Sequence, residues 1–247
     1  MPAFVRREDG SWESTPSAMG PFAGLQGGAV AGLLVHELET EAEKQGLGLP
    51  VSVSVEFLRP TGSGALLTTC DVIRKGRRVS VLSGTVIDNG NVSARASVVF
   101  IATTEIGSIE PAPRMPLDPG ALPVLPRRKA PHGGPWMMDN FETRRSDDGI
   151  AWFRYTEDIV EGVRPLARIL GPADWTHGIG RPSQPRLADP NVNLQIAVTH
   201  FPQGPDIGIR SRTTWMPNGI GLGSGILLDR NGPFGQVMMS VALTPFG

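Results

Sequence analysis

The chain has 247 residues, 40% of them hydrophobic, enough to bury a sizeable core in one large domain or two small ones. Its 23 basic and 24 acidic side chains nearly cancel, so no long-range field favours a nucleic acid or an anionic membrane surface. The lone cysteine, Cys70, excludes an internal disulfide and a cysteine-rich metal site, and it suits a reducing cytosol.

The N-terminus carries Arg6, Arg7, Glu8 and Asp9 where a signal peptide would need an apolar run, and no stretch approaches membrane-spanning length. A soluble, cytoplasmic protein is expected. Ser11 to Thr15 reads as extended. A glycine-rich loop, 20–28, leads into a helix predicted over 29–44, where Val30, Leu33, Leu34 and Leu38 recur at helical spacing and Gly46 and Gly48 follow as stop signals. Extended runs are predicted at 51–59, 65–74 and 78–100, the last folded back at Asp88-Asn89-Gly90. Cys70 falls inside one of them and reads as a small buried apolar side chain. Asn91-Val92-Ser93 matches a glycosylation sequon and reads as a turn entering a strand.

Residues 103–135 are rich in proline, which can neither donate to a sheet ladder nor continue a helix, so a linker is predicted. Beyond it the signals return in the same order: extended runs at 141–144 and 150–156, a short helical or irregular piece at 165–175, then extended runs at 191–200, 207–215 and 220–244. Landmarks repeat at a nearly constant offset. Asp88 and Asp229 are 141 residues apart, Pro60 and Pro202 are 142 apart, and Ser97 and Ser240 are 143 apart. A series of strand and turn signals in one order at one offset points to a duplicated α+β unit. The expected division is an N-terminal unit over 1–102, the linker over 103–135 and a C-terminal unit over 136–247. A helix followed by an antiparallel meander packs in one sensible way, with the sheet curled around the helix.

The four histidines, His36, His132, His177 and His200, have no spacing suited to a shared metal, and neither a metal nor another cofactor is expected. His177 reads as a surface loop residue, with a place in a pocket near Asp174 as the alternative. His132-Gly133-Gly134 is similar to an esterase oxyanion loop, but no G-x-S-x-G elbow accompanies it. Gly221 to Gly225 does not make a dinucleotide fingerprint. Gly27 and Gly28 offer backbone amides at a helix start, suited to an anion or oxyanion, or else serve close packing of the helix.

Four segments carry a family resemblance: Gly20-Pro21-Phe22-Ala23-Gly24-Leu25-Gln26-Gly27-Gly28-Ala29-Val30; the strand Val51 to Pro60; Arg74-Lys75-Gly76-Arg77-Arg78-Val79; and Gly219 to Leu222 with Leu228 to Gly235. Together they resemble the acyl-CoA thioesterase II group of tandem hotdog proteins, over nearly the whole chain. The resemblance implies a double hotdog, two tandem antiparallel sheets each wrapped around a helix. It also implies thioester hydrolysis by a water held between an Asp at a helix start, a Ser or Thr near the next strand and a Gln on the last strand.

On this sequence the Asp falls on Asp174 and the hydroxyl position on Asn191, with Asn193 competing. The Gln position falls on Met239, which cannot hold water by hydrogen bonds. Asp174 beside Pro172 and Asn191 after Pro190 each suit an ordinary cap or turn as well. Gly27, Gly28 and Met239 are the candidate substrate-binding residues. The basic turn at Arg74, Lys75, Arg77 and Arg78 reads as a solvated hairpin, with contact to CoA phosphates as its functional alternative. The expected partner is an acyl-CoA or another acyl thioester, and fold analogy adds a homo-oligomer. The alternatives are a non-catalytic acyl-thioester binding protein, which Met239 favours, and a hydratase or dehydratase on the same fold.

Overall fold

The computed structural model describes residues 1–107, 109–110, 114–182 and 187–245. The first unit contains β1 (Phe4–Arg6), β2 (Trp12–Ser14), α1 (Gly27–Lys44), β3 (Leu49–Phe57), β4 (Ala65–Thr68), β5 (Asp71–Arg74), β6 (Val79–Asp88) and β7 (Asn91–Ile101). The second contains β8 (Phe141–Arg145), β9 (Ala151–Tyr155), α2 (Pro165–Asp174), α3 (Thr176–Gly180), β10 (Leu187–Ala188), β11 (Asn193–Val198), β12 (Asp206–Trp215), β13 (Ile220–Asp229), β14 (Gly232–Ala242) and β15 (Thr244–Pro245).

All but β10 and β15, which pair with each other, form one sheet in the order β1-β2-β4-β6-β7-β3-β11-β14-β13-β12-β9-β8, with β5 beside β6. Read outward from the central pair, β3 is followed by β7, β6, β4, β2 and β1, and β11 by β14, β13, β12, β9 and β8. The two halves are the same arrangement written twice, joined by the antiparallel ladder that pairs Glu56 with Asn193 and Ser52 with Ala197. This is an α+β double hotdog. Even a loop hydrogen bond repeats. Asp88 Oδ2 accepts from the Gly62 N–H and Asp229 Oδ2 from the Gln203 N–H, both at 2.7 Å. The β6–β7 turn runs through Asn89 and Gly90 at φ 48° and 75°, the primed geometry that matches strand twist.

The local chemistry of the two helices sets their positions. α1 begins two residues earlier than its apolar spacing predicts, because the Gln26 side chain accepts the Ala29 N–H at 2.6 Å and acts as the cap. Along α1, Gly28 and Gly32 form a small-residue ridge against α2. A Cβ on Gly28 would collide with the Leu170 carbonyl and would lie 2.6 Å from the Asp174 Cβ, and one on Gly32 would lie 3.1 Å from the Ala167 carbonyl oxygen. α2 starts on Pro165, whose fixed φ suits a first turn, and contains Pro172. Pro172 has no N–H for the Arg168 carbonyl, and the Tyr155 hydroxyl donates to that oxygen instead at 3.0 Å. The helix breaks at Trp175, so Asp174 closes α2.

Two expectations need correction. Cys70 is exposed and sits outside the strands, in the break where the predicted 65–74 run divides into β4 and β5. The proline-rich segment does more than connect, since Met115 and Leu117 donate backbone hydrogen bonds to Asn231 and Arg230, and Leu125 donates to Thr143. Pro111 and Pro113 lie outside the described residues.

Candidate active site

Asp174 is 6% exposed, and its carboxylate sits at the N-terminal end of α1, in the other unit of the fold. Gln26 Nε2 donates to Oδ2 at 2.7 Å, and Asn191 Nδ2 donates to Oδ1 at 2.8 Å. Gly28, at the start of α1, packs directly against the Asp174 side chain. Burial pushes the carboxyl above its ordinary value, although the charge of His177, the Asn191 amide and the Gly28 N–H all pull the other way. A buried carboxylate oriented by two side-chain amides and a helix start can hold a water and accept its proton.

Sequence reasoning brings Asp174 and Asn191 together, and the structure has them in contact. The competing Asn193 is used differently. Its Oδ1 accepts the Ser240 N–H at 2.7 Å, which pins β11 to β14. Asp174 ends a helix instead of starting one, and the helix start it serves is that of α1. Gly28 has a packing reason to be glycine, and a Cβ on Gly27 would lie 3.1 Å from the Phe57 ring and 3.2 Å from Asp174 Oδ1. Met239 is 1% exposed on β14 and packs with His177 over Gly223. Gln26 was not among the candidates. The signal for it was a polar residue immediately before Gly27-Gly28, but glutamine is outside the usual N-cap set.

Beside this network lies a cavity of about 380 Å³, reached from Asp174 by the residues that follow it, Trp175, His177 and Ile179. Phe22, Trp136 and Phe153 complete an apolar wall. Trp136 stands edge-on to Trp175 with ring centroids 5.6 Å apart, and its indole N–H donates to the Arg128 carbonyl at 3.0 Å. Leu125, Arg128, Lys129 and Pro131 of the predicted linker form one side of this cavity. His177, expected on the surface, is 7% exposed. Among the described residues, no group of three or more His, Cys, Asp or Glu converges as metal ligands would, and no helix is long and apolar enough to cross a membrane.

The fold belongs to the double hotdog class, and solved structures share it end to end. A hot dog fold protein of unknown function from Alicyclobacillus acidocaldarius superposes with a TM-score of 0.74 at 17% identity, over 99% of this chain and 97% of that one. The acyl-CoA thioesterase II TesB2 of Mycobacterium marinum gives 0.70 at 13% identity, over 99% and 95%. The tesB protein of Mycobacterium avium subspecies paratuberculosis gives 0.69 at 15% identity, over 98% and 96%. Residues 15–101 match the family described as acyl-CoA thioesterase N-terminal domain. The likeness is thus to acyl-CoA thioesterases in sequence over residues 15–101, and to hotdog proteins in fold over the whole chain. No curated protein matches it in sequence.

Proposed function

We propose that the chain is an acyl-CoA thioesterase-like hydrolase built from two units, 1–102 and 136–247, in which Asp174 orients and deprotonates the water that attacks the thioester carbonyl. The observation that supports this most is the convergence on one buried carboxylate of Gln26 and the α1 N-terminus from the first unit and Asn191 from the second. Gln26 supplies an amide to the carboxylate itself, while Met239 leaves the water without the glutamine that the resemblance implies. The apolar cavity next to Trp175 suits an acyl chain, and the basic side chains at its edge suit the phosphates of a CoA carrier.

A second reading, a binding protein without turnover, draws on Met239. It is buried where the resemblance places a water-holding glutamine. Release of free thiol from a panel of acyl-CoAs separates the two. The hydrolase reading expects turnover that rises with pH through a range above that of an ordinary carboxylate, following the upward shift of Asp174. A higher melting temperature with acyl-CoA but no thiol release would leave only the binding protein.

A further inference from the structure

His177 stands one helical turn beyond Asp174, in the wall of the cavity. Its Nδ1 lies 3.1 Å from Asp189 Oδ2, and Asp189, 1% exposed, also has Arg181 Nη1 3.5 Å from its other oxygen. The Thr213 hydroxyl donates to the His177 carbonyl at 3.0 Å. His177 Cβ and Met239 Cγ both close over Gly223, where a Cβ would meet each at 3.1 Å. The ring is therefore fixed by a carboxylate, by its backbone and by packing. With Nδ1–H turned to a carboxylate, the second proton of the imidazolium sits on Nε2. Nε2 has no partner among the described residues and is the nitrogen left for a molecule in the cavity.

The rest of the cavity narrows what that molecule is. Its wall is aromatic, while Arg128, Lys129 and Arg145 at its edge are exposed and form no ion pair among the described residues. An apolar chain joined to an anionic carrier fits both features.

Building on the thioester reading above, we propose that His177, positioned by Asp189, is the acid that protonates the departing sulfur. Asp174 takes a proton from water as the oxygen bonds to the carbonyl carbon. The tetrahedral intermediate collapses with cleavage of the C–S bond. The electron pair leaves on sulfur, and the Nε2 proton of the imidazolium joins it to give the free thiol, leaving a neutral ring that keeps its Nδ1 proton toward Asp189. The proton held by Asp174 then returns to the ring, so each cycle consumes one water and yields one acid and one thiol. Asp174 and His177 divide the two proton transfers between them.

The test compares two thioesters of one acyl group: the acyl-CoA, whose more basic alkyl thiolate gains most from a proton as it leaves, and the S-phenyl thioester, whose less basic thiolate gains little. His177→Gln is expected to lower kcat/KM on the acyl-CoA on the order of 10²-fold and on the phenyl ester by no more than about threefold. Asp189→Asn should show the same contrast more weakly, and it carries the test if the melting temperature shows His177→Gln to be unfolded. Asp174→Asn should lower both substrates alike. Equal losses on the two substrates for His177→Gln, or no loss, would overturn the role of His177 while leaving the hydrolase reading intact. A wild type that turns over neither substrate would overturn both.

Discussion

The antiparallel pair α1 and α2 has a carboxylate at each end, and the two ends are used differently. At one end Asp174, closing α2, meets the start of α1. At the other, Glu39 of α1 meets the start of α2 and accepts the Leu166 N–H at 3.1 Å and the Ala167 N–H at 2.8 Å. Glu39 spends both oxygens on backbone donors and so satisfies amides that a helix start leaves without partners. Asp174 is held mainly by side-chain amides, beside a cavity and a histidine. A carboxylate at a helix start is a structural device wherever backbone amides occupy it. On the proposed function it becomes a chemical one where side-chain amides orient it instead.

The contrast makes its largest prediction at Glu39. Burial raises its carboxyl from 4.5 to about 7, outweighing its two amide hydrogen bonds and Arg164 nearby. A raised folded value means that the stability is fully present below the unfolded value and is lost as pH rises through the folded one. Unfolding free energy should therefore fall between about pH 4.5 and pH 7 by roughly 3 kcal/mol. Urea titrations across that window should lose this slope in Glu39→Gln. A slope that survives the substitution would place the titration elsewhere.

Gly28→Ala sharpens the comparison from the other end. Its methyl would strike the Leu170 carbonyl and Asp174, forcing α1 and α2 apart where the candidate chemistry sits. A loss of about 2 kcal/mol is expected from denaturant melts, together with lost turnover, while the Glu39 slope persists. The smallest effect is expected of Asn191→Ala, which removes one of the amides on Asp174. Turnover should fall roughly tenfold, equivalent to about 1.4 kcal/mol, with the melting temperature nearly unchanged.

Much of this architecture was legible in the residues. Period-two alternation in 51–57 and the Asp88-Asn89-Gly90 turn marked β3 and the β6–β7 hairpin, and the near-constant offset anticipated the doubled strand order. Asp174 and Asn191 could be reached through the resemblance. Contacts between distant parts of the chain could not be seen. Gln26 joins Asp174 across 148 residues of sequence, and Glu39 joins Ala167 across 128. Neither pair leaves a local pattern, because each depends on how closely two helices approach. His177 and the proline-rich segment were misjudged for a similar reason: a short polar or proline-rich stretch looks solvated until another unit packs over it.

Thiol release from an acyl-CoA, measured side by side for Asp174→Asn and Glu39→Gln, tests the difference between the two helix ends most directly. Asp174→Asn should reduce kcat on the order of 10³-fold while remaining folded, and Glu39→Gln should stay within about threefold of the wild type. Equal losses in the two variants, or full activity without the Asp174 carboxylate, would contradict the account.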